Sequence, residues 1–169
     1  MELTGSKHIN AAQDTVWAAL LDKEVLAACV PGCEEMSGSP EEGFEATVVQ
    51  KVGPVKAKFK GAVTLSDIDA PNALTITGEG KGGAAGFAKG GAKVRLTPEG
   101  EGTLLEYEVE AKVGGKLAQL GSRIIDGFAK KMAEQFFTRF QEAVEPAEEG
   151  TDDSEEGAKK GWFSRLRGA

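Results

Sequence analysis

The stretch from Gly115 to about Val144 is the only one in this chain with the length and apolar periodicity of a long amphipathic helix. Its large apolar residues recur three or four positions apart. They are Leu117, Leu120, Ile124, Phe128, Met132, Phe136 and Phe140. The middle of the chain alternates as β-strands do, so we expect a sheet whose inner face this one helix must cover.

Two stretches carry the strand pattern most clearly. In Val55–Leu65 apolar residues and a glycine alternate with three lysines, and in Leu104–Val113 apolar residues alternate mainly with acids. A period of two puts one kind of residue on each face of a strand. Short turns such as Gly53-Pro54 join consecutive strands, which is typical of an antiparallel sheet with one solvated face.

The residues before the sheet predict a first strand within 2–11 and two short helices, within 10–22 and 23–30. Asn10 or Asp14 is the expected N-cap of the first helix. The predicted fold class is therefore α+β. A curved antiparallel sheet of about six to seven strands wraps around a long C-terminal helix, and two short helices follow the first strand.

Length and charge divide the 169 residues into three segments. Residues 1–144 form one domain, residues 145–158 an acidic flexible linker, and residues 159–169 a basic and aromatic tail. The net charge of −7 argues against nucleic acid as a partner, because phosphate binding needs a basic face. The first ten residues lack an apolar signal-peptide core, and no apolar run has the length of a bilayer span. We expect a cytoplasmic protein.

Catalytic chemistry finds little support in the sequence. The single histidine, His8, and the absence of a G-x-S-x-G motif argue against a nucleophilic triad. Cys29 and Cys33 lack the further ligands that zinc requires, so buried reduced thiols are the better interpretation. We predict no catalytic residue and no metal site.

The glycine-rich stretch "GEGKGG" places Gly78, Gly80 and Gly83 at the spacing of a dinucleotide-binding turn. That motif requires a helix to follow, and the next residues have no helical periodicity. A twisted hairpin is the favoured interpretation. A third interpretation is a pliable lid at a cavity mouth, with Phe87 at its tip.

A curved sheet around one helix often leaves a space that suits an apolar ligand. Strand parity and helix spacing give eight candidate ligand-binding residues: Phe59, Phe87, Tyr107, Val109, Gly121, Ile124, Gly127 and Phe128. Gly121 and Gly127, within the predicted helix, either clear room for a ligand or allow close packing. The hydroxyl of Tyr107 needs a partner, from the protein or from a ligand.

The last eleven residues combine four cations with three apolar side chains, after a stretch of seven acids. They are Lys159, Lys160, Arg165 and Arg167, with Trp162, Phe163 and Leu166. This pattern predicts peripheral binding to an anionic membrane through the tail, with the acidic stretch as a tether. The alternatives are a tail that binds nothing and one that docks on a partner enzyme.

Three segments together resemble the carbon monoxide dehydrogenase G-subunit (CoxG) family, of the START-like helix-grip superfamily. They are "ACVPGCEEM", "VGPVKAKFKGAVTL" and "GKLAQLGSRIIDGFAKKMAEQFFTRF", and the resemblance covers residues 2–144. It implies a non-enzymatic accessory protein of a molybdenum hydroxylase of the carbon monoxide dehydrogenase type. It also implies peripheral attachment to the inner face of the cell membrane and a respiratory quinone, menaquinone or ubiquinone, bound without a covalent link.

Two alternatives remain open beside the accessory carrier. One is a docking adaptor for the hydroxylase with a filled core and no ligand. The other is a small START-like enzyme acting on a hydrophobic substrate, against which the lone histidine counts.

Overall fold

A computed structural model describes residues 1–145 of the chain. The strands are β1 (Glu2–Ile9), β2 (Cys33–Ser39), β3 (Gly43–Val52), β4 (Val55–Asp69), β5 (Ala73–Lys81), β6 (Phe87–Glu99) and β7 (Gly102–Gly114). The helices are α1 (Gln13–Leu20), α2 (Lys23–Cys29), α3 (Lys116–Gln119) and α4 (Ser122–Val144), with a 3₁₀ turn at Gly83–Ala85.

The seven strands form one antiparallel sheet in the order β1-β7-β6-β5-β4-β3-β2. Strands β2 to β7 follow one another as a meander, and β1 pairs with the last strand. Helix α4 runs along the inner face, and its backbone comes near α1, α2, β1 and β3. The predicted α+β helix-grip fold is confirmed.

The two short helices form where the sequence predicts them, but the predicted cap of the first is wrong. Ala12 occupies the N-cap of α1 without a side-chain hydrogen bond. The side-chain oxygen of Asn10 instead lies 3.0 Å from Nε2 of His8. The carboxylate of Asp22 caps α2, accepting hydrogen bonds from the backbone N–H groups of Glu24 (2.9 Å) and Val25 (3.4 Å).

The predicted single helix over Gly115–Val144 is wrong at its start, because the chain breaks between α3 and α4. Gly121 stands at the break with φ of +90°, a conformation that side chains disfavour. The break changes the phase of the apolar stripe. Ile125 is buried against the sheet, whereas Ile124, which the spacing places inward, is 41% exposed.

Two separate buried clusters hold α4 to the rest of the fold. The first lies at the C-terminal end of α4 and contains Ile9, Val16, Trp17, Leu20, Cys29, Leu74, Val94, Leu96, Leu105 and Phe140. The second lies at its N-terminal end and contains Val52, Leu117 and Ile125. The inner face of the sheet between them is not part of either cluster.

The two cysteines are free thiols, as predicted. Cys29 is buried at the end of α2, and this burial raises the pKa of its thiol to about 11. Cys33 is half-buried on β2, a strand that the sequence pattern does not predict. The glycine-rich stretch ends β5 and turns into antiparallel β6, which confirms the hairpin and excludes the dinucleotide motif.

Candidate ligand-binding cleft

The centre of the inner face is built mostly from glycine and alanine. Two rows of residues in register cross the sheet there. One consists of Ala46, Gly61, Gly80, Ala88 and Val113, and the next of Phe44, Val63, Gly78, Gly90 and Ala111. Because most of these side chains are absent or a single methyl group, this part of the sheet fills little of the space beneath α4.

Solvent reaches this central region although its residues point toward the helix. In the two rows the side chains of Ala46, Val63, Ala88 and Val113 point toward the helix, and these residues are only half-buried. Above them Ala129, Met132 and Ala133 of α4 are half-buried as well. A closely packed interface would bury such residues completely. The region is therefore a cleft between sheet and helix, closed at each end by a buried cluster.

Gly80 shows the open space most directly. Its neighbours in the row are Gly61 and Ala88, and it lies in an ordinary extended strand. A methyl group placed at Gly80 would meet no atom within 4 Å. The cleft thus has room for a side chain or a ligand over β5.

Four of the eight sequence-predicted residues border this cleft. Phe59 and Phe128 pack on the second buried cluster and mark one end. Tyr107 packs on the first cluster and marks the other, with its ring stacked on Phe137 at a centroid distance of 4.6 Å. Val109 lies between them on the inner face, in register with Ala92.

The other four predicted residues lie outside the cleft. Gly121 is the break between α3 and α4. Ile124 is largely exposed and lies against the β3–β4 turn at Gly53, and Gly127 is exposed with no atom near its Cβ position. Phe87 is 39% exposed and packs on Gly114. By strand parity Phe87 belongs to the outer face, so it is not at the tip of a lid over the cleft.

Sequence reasoning places Gly61 and Ala111 on the inner face, but it does not identify the small residues as the floor of a site. Strand parity does place Gly78 and Gly80 on the same face as Ile76, and Gly90 on the same face as Ala92. This alternation is the available signal. It is easily overlooked because a glycine carries no apolar side chain by which to recognise an inward position.

A polar group at one end of the cleft is the phenol of Tyr107. Its ring lies directly over Gly5 of β1, where any side chain would collide with it. Burial, and secondarily the negative charge of Glu134, raise the pKa of Tyr107 above its ordinary value. The phenol therefore stays protonated at neutral pH and can act as a hydrogen-bond donor.

Grooves on the opposite face of the sheet have a different chemistry. One of about 780 Å³ crosses the outer face and is lined by Glu2, Glu79, Lys89, Glu110, Lys112 and smaller residues. Charged walls do not suit an apolar ligand. We therefore place the candidate site on the inner face.

The described residues contain no group of three or more potential metal ligands. His8 contacts Glu99 and Asn10 on the exposed outer side of β1. It has no part in the cleft. None of the helices in residues 1–145 has both the length and the apolar character to cross a membrane.

Residues 5–145 match the sequence profile of the carbon monoxide dehydrogenase G-subunit (CoxG) family. The chain belongs to the CoxG family. This match covers most of the chain and includes every element of the cleft. It confirms the resemblance found in the sequence and connects the chain to an accessory component of carbon monoxide dehydrogenase. A search among curated proteins gave no match.

Solved structures share this architecture. A conserved protein from Geobacillus kaustophilus is 30% identical, with a TM-score of 0.79 over 85% of this chain and 95% of that one. A protein from Rhizobium leguminosarum is 14% identical, with a TM-score of 0.67 over 85% and 93%. One from Chromobacterium violaceum is 16% identical, with a TM-score of 0.64 over 86% and 98%. The last two support the fold alone.

Proposed function

We propose that this protein is a non-enzymatic accessory protein of a molybdenum hydroxylase of the carbon monoxide dehydrogenase type. It carries an apolar ligand, a respiratory quinone, in the cleft between α4 and the sheet. It attaches to the membrane through its C-terminal tail and links the enzyme to the respiratory chain.

The single observation that carries the ligand proposal is the solvent-accessible apolar region between two buried clusters. A docking adaptor with a filled core has no use for such a space. Partly exposed apolar surface inside a domain is unfavourable by about 25 cal/mol per Å², and an apolar ligand would remove that surface from water. The small residues at Gly61, Gly80 and Ala88 leave a flat floor on which a planar ring fits.

A quinone matches the cleft in polarity as well as in shape. Its ring and isoprenoid chain are apolar, and its two carbonyl oxygens accept hydrogen bonds. The protonated phenol of Tyr107, at one end of the cleft, is the donor that we assign to one of these oxygens. The rest of the ligand would contact apolar side chains such as Val109 and Met132.

A binding assay with a matched pair of variants tests the cleft. Gly80→Leu places a side chain in the open space over β5, in a backbone conformation that tolerates it. Gly127→Leu makes the same chemical change on the exposed side of α4, where it also meets no atom within 4 Å. We expect Gly80→Leu to weaken binding of a quinone analogue by about tenfold or more and Gly127→Leu to leave it unchanged.

Organic extraction of the purified protein and mass spectrometry would identify the ligand that it carries. An extract without any quinone, together with equal affinity of both glycine variants for the analogue, would refute the carrier proposal. The docking adaptor would then be the better account, and co-purification with the hydroxylase would be its test.

The tail, residues 159–169, lies outside the residues that the structure describes, and its role is proposed from its sequence. Binding to anionic vesicles should fall in high salt, because salt screens the four cations. Trp162→Ala with Phe163→Ala should weaken it at low salt too, because the apolar contribution is not screened. Sedimentation with and without Lys159–Ala169 is the measurement, and equal binding of both forms would exclude the tail as the anchor.

A further inference from the structure

The outer face of the sheet carries lysines opposite lysines at three points of its register. Lys51 pairs with Lys56, Lys60 with Lys81, and Lys89 with Lys112. Like charges directly opposite each other on neighbouring strands repel and destabilise the sheet. An anionic surface placed against these lysines would relieve that repulsion.

An exposed aromatic ring stands among these lysines. Phe87 is directly opposite Lys81 in the register, and Lys89 lies two residues farther along the same face. Its ring is 39% exposed. Together Lys60, Lys81, Lys89 and Lys112, with Phe87 among them, form a group that we call the lysine patch.

Among the described residues no patch lysine forms a salt bridge, although Glu2, Glu79 and Glu110 line the groove beside Lys89 and Lys112. Within residues 1–145 one outer-face lysine of the sheet forms a salt bridge. It is Lys58, which pairs with Glu34 and lies beside the patch. Glu79, opposite Lys89, is the single acid in direct register with a patch lysine. At the side of Lys60 and Lys81, where no acid lies in direct register, the patch is a local concentration of positive charge on a chain whose net charge is −7.

The distribution of exposed apolar residues follows the distribution of charge. Three large apolar side chains are exposed in the described part of the chain: Ile68, Phe87 and Ile124. Ile124 contacts the β3–β4 turn beside Lys51 and Lys56, so it lies at the same end of the molecule as Phe87. Ile68 lies at the other end of β4, between Asp67 and Asp69.

We infer that the lysine patch is a second membrane-contacting surface, in which the folded domain itself binds an anionic bilayer. The lysines contact lipid headgroups, and Phe87 enters the interface between headgroups and acyl chains. Cations beside an exposed aromatic ring are the combination that binds such an interface. The inference extends the membrane attachment proposed above, but its residues belong to the sheet and not to the tail.

Fluorescence quenching in the full chain tests where the domain touches lipid. Phe87→Trp is made in a Trp162→Phe background, and Ile68→Trp in the same background is the control at another exposed apolar position, which is 50% exposed against 39% for Phe87. Anionic vesicles with brominated acyl chains quench an indole that enters the bilayer. We expect the vesicles to quench the new indole of the Phe87→Trp variant and not that of the Ile68→Trp variant. Buried Trp17 contributes the same unquenched fluorescence in both variants.

Vesicle partitioning of a second pair of full-length variants tests the charges. Lys60, Lys81 and Lys89 are replaced by Gln in one variant, and Lys23, Lys93 and Arg95 in the other, so that net charge changes equally. Each cation near an anionic leaflet contributes a factor of about five. The patch variant should therefore lose about 100-fold in partitioning, and the control should lose less than about fivefold.

The outcomes separate this inference from the proposed role of the tail. If vesicles hold the Phe87→Trp protein without quenching it, or if both triple variants lose partitioning equally, the lysine patch does not contact the bilayer, whatever the tail does. If vesicles do not bind the protein and the patch variant instead loses binding to the hydroxylase, the patch is a protein-docking surface and the inference is wrong. If the full chain shows quenching at Phe87→Trp and deletion of Lys159–Ala169 abolishes vesicle binding, both the lysine patch and the tail contact the membrane.

Discussion

Two phenylalanines on the same helix should respond very differently to truncation if the centre of the fold is open. Phe140 is fully buried in the first cluster, stacked on Phe136 at a centroid distance of 5.9 Å. Phe128 is half-buried at the edge of the cleft. Both side chains belong to α4, so helix propensity changes equally in Phe140→Ala and Phe128→Ala.

The expected magnitudes follow from this difference in burial. Truncating a fully buried phenylalanine removes its transfer free energy and leaves a cavity, which together cost about 3–5 kcal/mol. Truncating Phe128 enlarges a space that solvent already reaches, so no closed cavity forms and the loss should be about 1–2 kcal/mol. At about 3 °C per kcal/mol, Phe140→Ala should lower Tm by about 10–15 °C and Phe128→Ala by about 3–6 °C.

Urea unfolding followed by circular dichroism measures both losses. The slopes with urea should match that of the parent protein, because the surface exposed on unfolding barely changes. If Phe128→Ala costs as much as Phe140→Ala, the centre of the fold is packed and the cleft does not exist. If Phe140→Ala costs less than about 1 kcal/mol, the first cluster is not the core that the burial of Phe140 indicates.

Further predictions concern single groups. Because burial raises the Cys29 pKa from 9.0 to about 11, the unfolded chain loses this proton first, and stability should fall as pH rises from about 9 to about 11. Between pH 8 and pH 10 the free energy of unfolding should fall by about 1.4 kcal/mol less in Cys29→Ala than in the parent protein, as measured by urea denaturation at both pH values. Asp22→Ala should cost about 1 kcal/mol in the same assay through loss of the α2 cap. Tyr107→Phe should weaken binding of the quinone analogue about fivefold, as measured by titration, through loss of one hydrogen bond. Truncation after Glu145, whose carboxylate accepts from the Asn10 N–H at 2.9 Å, should leave Tm within a few degrees.

The sequence predicts most of the sheet because a period of two is a strong signal where side chains are large. In β4 and β7 apolar residues alternate with charged ones, and the apolar residues of both strands point to the inner face of the sheet, as predicted. Strand β2 escapes prediction because its sequence, CEEMSGS, lacks this alternation. The register of β2 also shifts between Cys33 and Glu35, so its exposure does not follow a period of two.

The candidate site is predicted less well, for two physical reasons. The apolar stripe continues across the break at Gly121, so spacing alone does not show that Ile125 and not Ile124 faces the sheet. In addition, the predicted walls are mostly large apolar residues, whereas an open space forms where large side chains are missing. Phe59, Tyr107, Val109 and Phe128 border the cleft, but glycines such as Gly80 create it.

The cleft and the lysine patch depend on the same strand register. On β5, Gly78 and Gly80 face the cleft while Glu79 and Lys81 face outward. A slip of one residue in the β5–β6 hairpin would turn every side chain of the slipped strand to the other face of the sheet. Charged groups would then lie over the cleft floor, and glycines would lie in the patch. The 3₁₀ turn at Gly83–Ala85 fixes this register through backbone hydrogen bonds, among them Gly82 N–H to Gly86 O at 2.8 Å. A change in the length of that turn should therefore abolish ligand binding and membrane contact together, whereas Gly80→Leu should affect the ligand alone.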